Sequence, residues 1–277
     1  MISLKRSLAV LSSCLAIAIC APHVAAAEQA PATVQVGGRD LQIPVPAKGM
    51  VRCDGISEEF DKNLNAFLPA TNRMIAYFCT EADAEGLKKG ENAPMDVSFN
   101  IQTMRKLESQ EIGSKTFASV RDSMRKEVAN MQDELNAKLK QVMEKGNAHI
   151  QNEKKLDAAL DVSDVAVLGF FDEENSSALG FTTAMNLATK IAGTEEKSRN
   201  VVAAYLIPAN GRMLLLYAGR PYLNDGDRLV VEREVKAWGD AIIAANPKIE
   251  GKAASGGLFR ASVGRAWLAR GSAWRWP

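Results

Sequence analysis

Histidine, cysteine and aromatic residues are all scarce in this chain of 277 residues. It has two histidines and four cysteines, and 6% of its residues are aromatic. His23 lies in the N-terminal segment, so His149 is the only imidazole in the rest of the sequence. No G-x-S-x-G, G-x-x-x-x-G-K-[ST] or G-x-G-x-x-G motif occurs. We therefore expect no Ser-His-Asp site, no nucleotide-binding loop, no metal site and no cofactor.

The first 27 residues have the composition of an export signal. Lys5 and Arg6 form a basic start, residues 8–21 form an apolar run, and Ala25–Ala27 form a small-residue cleavage site. We expect cleavage after about Ala27, which predicts a periplasmic or secreted bacterial protein, with membrane association as an open alternative. Two other interpretations are an uncleaved membrane anchor and a lipoprotein box ending at Cys14.

Cleavage would leave two cysteines, Cys53 and Cys79, in the mature chain. An even pair in an exported protein predicts one disulfide, and two buried free thiols are the alternative. Closing a loop of this length stabilises a fold by roughly 3 kcal/mol in the chain-entropy model.

Charge is unevenly distributed along the sequence. The whole chain carries +1, and removal of Lys5 and Arg6 with the signal gives −1. Residues 251–277 contain five basic residues and no acid, which leaves residues 28–250 at −6. A body of this charge argues against nucleic acid as a partner.

The C-terminal segment 251–277 differs in composition from everything before it. It is rich in Gly, Ala, Ser and Arg, and it holds three of the four tryptophans. A disordered tail, a membrane-surface segment and an out-of-frame reading of a GC-rich gene are the three interpretations. The membrane interpretation rests on the interfacial preference of Trp and on basic charge, and its residues are Arg265, Trp267, Arg270, Trp274, Arg275 and Trp276.

The strongest periodic signal is a helix predicted over residues 114–145. Ser114 is a suitable N-cap, and apolar residues follow at steps of three or four. Such a helix is about 45 Å long, which exceeds the width of a small domain. We expect it to cover a sheet and to extend past it, either as a binding surface or as a self-association surface. The candidate residues of that surface are Val128, Met131, Leu135, Leu139 and Val142.

The remaining pattern predicts an α+β fold, with an antiparallel sheet built from hairpins and covered by the long amphipathic helix and a second, C-terminal helix. We expect the C-terminal helix, 225–245, to pack beside the long helix. The sequence predicts a signal peptide over 1–27, one domain over 28–250 and a tail over 251–277. Within the domain we expect an N-terminal half over 28–112, the long helix over 114–145 and a β-hairpin half over 160–246. Strands are predicted over 33–43 (a hairpin), 74–79, 95–104, 164–171, 177–186, 201–207 and 212–218. A short helix follows Ser57, a weak helix or loop covers 81–89, and a linker or helical extension covers 146–161.

Binding or scaffolding in the bacterial envelope is the leading functional hypothesis, with an unidentified protein or envelope component as partner. No catalytic residue is predicted. An exported hydrolase that uses carboxylates is one alternative, and its candidate acids are Asp172, Glu173, Glu174, Asp225 and Asp227. A membrane-peripheral, self-associating protein is the other alternative.

Overall fold

The computed structural model describes residues 30–90, 96–130, 141–149, 151–152, 158–191 and 194–247. Helices and strands of these residues give the mixed α+β class that the sequence predicts. The strands are β1 (Ala32–Val36), β2 (Arg39–Ile43), β3 (Met50–Arg52), β4 (Asn72–Thr80), β5 (Ser98–Met104), β6 (Ala158–Phe171), β7 (Leu179–Ile191), β8 (Thr194–Ala209) and β9 (Arg212–Pro221). The helices are α1 (Glu58–Ala66), α2 (Glu81–Lys88), α3 (Ser114–Asn130), α4 (141–149) and α5 (Asp225–Ala245).

Seven strands form one antiparallel sheet in the order β3-β4-β5-β9-β8-β7-β6. The strands β1 and β2 pair only with each other, as the predicted hairpin. Two tight turns are made by residues with positive φ, Gly37 and Gly38 between β1 and β2, and Asn210 and Gly211 between β8 and β9. Such turns match the right-handed twist of the strands that they join.

Helix α5 covers one face of the sheet together with the β1–β2 hairpin. Its Trp238 packs edge-on against Phe78 of β4 and Phe99 of β5, with ring centroids 5.5 and 5.6 Å apart. The indole Nε1 donates a hydrogen bond to the backbone oxygen of Pro44 at 2.8 Å. Trp238 therefore ties three separate parts of the chain into the main core.

Helix α3 covers the opposite face, where Phe117, Val120 and Met124 pack against Leu206 of β8 and Leu215 of β9. Neighbouring residues of the same two strands point to the α5 side. The β8–β9 hairpin is thus covered on both faces, as predicted from its continuous apolar runs. The prediction that α5 packs beside the long helix is wrong, because the two helices lie on opposite faces of the sheet.

The predicted elements differ from the observed ones mainly in length. Strand β3 was not predicted, since three residues are too few to show a period. Residues 81–88 form a regular helix whose capping box is made by Thr80 and Asp83. β6 begins at Ala158, inside the predicted linker, and β7 and β8 both continue past their predicted ends at the tip of their hairpin. The added residues are paired with the neighbouring strands.

A network of charged side chains fixes the β1–β2 turn to the loop 105–113. Arg212 is buried and donates hydrogen bonds to the backbone oxygens of Val36, Gly37 and Gln110 at 3.2, 2.8 and 2.9 Å. Arg73 pairs with the Glu108 carboxylate, which also accepts a hydrogen bond from the Gly37 amide at 3.3 Å. This hydrogen bonding with Arg73 lowers the pKa of Glu108. The network holds the hairpin against the ends of β4 and β9.

Candidate functional site

Asp172, one of the acids considered for catalysis, follows β6 with a φ of 53°. Its Oδ2 accepts hydrogen bonds from the Tyr205 hydroxyl at 2.5 Å and from Asn175 Nδ2 at 2.8 Å. Lys236 Nζ of α5 lies 3.7 Å from the same oxygen. Tyr205 is fully buried beneath Phe171, and desolvation together with Asp172 raises the pKa of Tyr205 far above its usual value. Asp172 thus serves as the acceptor of a buried hydroxyl and joins β6, β8 and α5.

Three of the other candidate acids, Glu173, Asp225 and Asp227, have partners outside this cluster. Glu173 is exposed and pairs with Arg125 of α3 at 3.0 Å. Asp225 accepts a hydrogen bond from the Tyr222 hydroxyl at 2.7 Å. Asp227 completes the capping box of α5, and hydrogen bonds from the Asn224 and Leu223 amides lower the pKa of Asp227. Glu174 is exposed at the β6–β7 turn.

The residues of the predicted helical surface are only partly described. Val142 of α4 is buried, and Val128 of α3 is half-buried. Met131, Leu135 and Leu139 lie outside the described residues, as do the signal segment and the whole Arg/Trp tail. His149 of α4 is half-buried, and Gly146 of the same helix is packed against the Phe67 ring.

The feature that the sequence did not reveal is a three-stranded arm formed by residues 158–163 of β6, 186–191 of β7 and 194–199 of β8. β9 ends at Pro221, opposite Asn200 of β8, so these residues continue past the end of β9. At roughly 3.4 Å per residue, the arm extends about 20 Å beyond that point. Every side chain from Glu195 to Arg199 is exposed. Alternating Leu187, Thr189 and Ile191 are the weak sequence signal that could have predicted it.

One side of the arm continues the sheet face on which α5 packs, and we call it the arm face. Strand pairing places Ala188 beside Asp161 and Lys197, and it places Asn186 beside Ser163 and Arg199. Its members are therefore Asp161, Ser163, Asn186, Ala188, Lys197 and Arg199. α5 reaches the sheet below them, where Glu232 accepts a hydrogen bond from Thr182 of β7 at 2.6 Å. The arm face lies beyond that contact and carries charges of both signs.

An aromatic and apolar rim borders the arm face at the start of α5. The Arg199 guanidinium lies over the Tyr222 ring at 4.9 Å from its centroid, and the Tyr222 amide donates to the Arg199 backbone oxygen at 2.7 Å. The next residue, Leu223, is 86% exposed. Leu229, in the second turn of α5, is 63% exposed. These two leucines are the only large apolar side chains that are exposed among the described residues.

Cys53 and Cys79 form the predicted disulfide. Both are fully buried, in a small core of their own with Tyr77, Ala84 and Leu87. This core is separate from the two cores on either side of the β8–β9 hairpin.

A shallow depression of about 190 Å³ lies where α3 begins. Arg121 crosses it and donates a hydrogen bond to the Ser176 backbone oxygen at 2.8 Å. Its lining is Ile112, Ser114, Phe117, Ala118, Arg121, Ser176, Ser177 and Pro208. Arg121 also pairs with Asp122 at 2.8 Å, so groups of the protein itself already bind its guanidinium.

Among the described residues, no three His, Cys, Asp or Glu side chains are grouped so that they could hold a metal ion. None of the helices described here has the length and apolar character needed to cross a bilayer. No known protein family matches this sequence, and no characterised protein is similar enough to count as a relative.

Proposed function

We propose that this protein acts by binding a protein partner in the bacterial envelope, and that the arm face is where it binds. The observation that carries the proposal is the arm itself, a stretch of sheet that continues beyond α5 with Asp161, Ser163, Lys197 and Arg199 exposed. An antiparallel sheet commonly keeps one face in water, and exposed apolar side chains rimmed by polar residues often mark an interaction site, so the arm face together with Leu223 and Leu229 suggests an intermolecular role.

The chemistry of the arm face fits a protein partner better than an apolar ligand. Charges of both signs, from Asp161, Lys197 and Arg199, give the surface specificity and orientation without strong attraction to one kind of polymer. Tyr222 and Arg199 are of the residue types that dominate the binding energy in many interfaces, and the exposed Leu223 adds apolar contact area beside them. An arginine that is already stacked on a tyrosine loses less side-chain entropy when it binds.

Two observations support an envelope location for this activity. The first residues have the pattern of an export signal, and the buried disulfide suits an oxidising compartment. A hydrolase built on the acidic residues is less favoured, since Asp172, Asp225 and Asp227 have hydrogen-bond partners in separate places. The membrane-peripheral alternative depends on the tail.

Site-specific photocrosslinking in the organism that makes the protein tests the proposal. A photoreactive amino acid is placed at Lys197 or Arg199, and matched controls carry it at the exposed lysines Lys62 and Lys88. We expect one adduct of the same mass from both arm positions and none from the controls. Equal adducts at all four positions, or none from the arm, would show that the arm face is not the binding site.

Cell fractionation separates the proposal from its membrane alternative. We expect the mature protein in the soluble periplasmic fraction, with the arm adduct recovered there. Recovery in washed membranes, with release by salt and loss of binding on removal of residues 251–277, would instead favour contact through the tail.

A further inference from the structure

Residues 50–68, here called the clasp, cover the outer edge of β4. β3 pairs with β4 at only three positions, from Met50 opposite Thr80 to Arg52 opposite Phe78. The backbone groups of β4 beyond that pairing are also satisfied by the clasp. The Cys53 amide donates to the Tyr77 oxygen at 2.8 Å, and the Tyr77 amide donates to Asp54 Oδ1 at 2.8 Å.

A charged pair inside the clasp completes this cover. Arg52 Nη2 donates to the Ile75 backbone oxygen at 3.4 Å, and Arg52 also pairs with Asp54 at 2.6 Å. The hydrogen-bonding edge of β4 from Ile75 to Thr80 is therefore occupied by side chains and by a three-residue strand. An uncovered edge of this kind is a template for pairing with another chain.

The helical part of the clasp, α1, is attached to the rest of the structure by few buried contacts. None of the residues of α1 is buried. The Phe60 ring packs edge-on against Tyr77 with centroids 5.5 Å apart, and Phe67 contacts Gly146 of α4. Segments with few buried apolar contacts open at lower free energy than the rest of a structure.

The disulfide is the strongest link between the clasp and the sheet. Cys53 belongs to the clasp and Cys79 belongs to β4, and the two are 26 residues apart. Both cysteines are fully buried, with Phe60 and Leu64 of α1 packed against the same small core. A reductant therefore needs a local opening to reach the sulfurs, and α1 is one of the elements that cover them.

We propose that the clasp is a redox-sensitive cover, locked by the Cys53–Cys79 disulfide, whose reduction uncovers the β4 edge from Ile75 to Thr80. The reductant is a dithiol. One of its thiolates attacks a cysteine Sγ, the Sγ–Sγ bond breaks, and a mixed disulfide forms while the other cysteine leaves as a thiolate and takes up a proton. The second thiol of the reductant then displaces the remaining cysteine, so two electrons and two protons pass to the protein.

Hydrogen exchange of the full chain, oxidised and after treatment with dithiothreitol, tests the proposal. The chain-entropy model for a loop of 26 residues predicts that the clasp opens roughly 10² to 10³ times more often once the disulfide is gone. We expect the amides of Cys53 and Tyr77 to exchange faster by that factor. The amides of Tyr205 and Leu216, in the centre of the sheet, are expected to change by less than about threefold.

Two results would overturn the proposal. One is unchanged exchange at Cys53 and Tyr77 after the disulfide is shown to be reduced, which means that the clasp does not depend on it. The other is equal acceleration throughout the sheet, which means that the disulfide stabilises the whole fold and not the clasp. The variant Cys53→Ser/Cys79→Ser provides the same comparison without a reductant.

The proposal that α1 shields the disulfide from reductants has a separate test. Phe60→Ala removes the ring that packs on Tyr77, and we expect dithiothreitol to reduce the disulfide at least tenfold faster in this variant. Phe181→Ala is the matched control, because Phe181 is also half-buried but lies on β7, away from β4 in the strand order. Equal reduction rates in the two variants would remove α1 from the proposal.

Discussion

The β1–β2 turn allows a sharp test of how the hairpin is held, because its two glycines share a left-handed backbone but differ in their surroundings. Both have positive φ, 55° at Gly37 and 77° at Gly38. A Cβ at Gly37 would overlap the backbone carbonyl group of Glu108. It would lie 2.6 Å from the Glu108 carbonyl carbon and 2.8 Å from the Ser109 Cα. A Cβ at Gly38 would meet nothing within 4 Å.

The expected cost of each alanine follows from these contacts. Gly38→Ala introduces only the backbone strain of an alanine in the left-handed conformation. Alanine also lowers the conformational entropy of the unfolded chain, which favours folding, so the net destabilisation is about 1 kcal/mol. Gly37→Ala adds a clash with backbone, which cannot rotate away, and overpacking of this kind costs about 1–3 kcal/mol more. We expect Gly37→Ala to destabilise the protein by about 2–4 kcal/mol in total.

Urea unfolding of the two variants, followed by circular dichroism, measures the difference. A domain of this size loses roughly 2–4 °C of Tm for each kcal/mol, so thermal melts should separate the variants as well. Equal free energies of unfolding for Gly37→Ala and Gly38→Ala would refute the close packing of the hairpin on the loop 105–113.

Three further predictions concern single side chains. The buried Asn246 side chain accepts a hydrogen bond from the Gln42 amide at 2.8 Å and donates one to the Gln42 oxygen at 2.7 Å. Asn246→Ala should therefore lower the free energy of unfolding in urea by about 1–3 kcal/mol. A loss below about 0.5 kcal/mol would contradict this. The pKa of Tyr205 is raised in the folded protein, so above about pH 10 the unfolded chain loses this proton first and the free energy of unfolding falls as pH rises. Tyr205→Phe should make this fall with pH less steep. An unchanged alkaline slope would speak against the buried pairing with Asp172. The pKa of Glu108 is lower in the folded protein than in the unfolded chain, so ionised Glu108 stabilises the fold above about pH 5 and this stabilisation is lost as pH falls. Arg73→Gln should therefore make the loss of stability below about pH 5 smaller. An acid titration of stability identical to that of the wild type would count against this pairing.

Local signals were sufficient for much of the fold. The Gly37-Gly38 and Asn210-Gly211 turns, the Ser57 cap and the helix after Asn224 are each encoded within a few residues, and all are present. The disulfide followed from counting cysteines. These features depend on backbone conformations and caps that neighbouring residues determine.

The candidate site was much harder to predict. The arm consists of long paired strands without a strong apolar alternation, so no single stretch of it carries a clear strand pattern, although its β7 and β8 parts pair locally as one hairpin. The role of Asp172 was also hidden, because Tyr205 and Lys236 reach it from β8 and from α5. Nothing near Asp172 in the chain distinguishes a solvated turn from the acceptor of a buried hydroxyl.

The sequence by itself determined the α+β class, the antiparallel hairpins and the cysteine pairing, because each of these follows from short-range periodicity, turn residues or composition. Only the tertiary structure decided that α3 and α5 lie on opposite faces, that the clasp covers β4, and that the arm extends past β9. Each of those arrangements depends on which buried side chains meet across the sheet and on where one strand stops while its neighbours continue. The contacts that place the helices and the clasp join distant parts of the chain, and no local pattern specifies them.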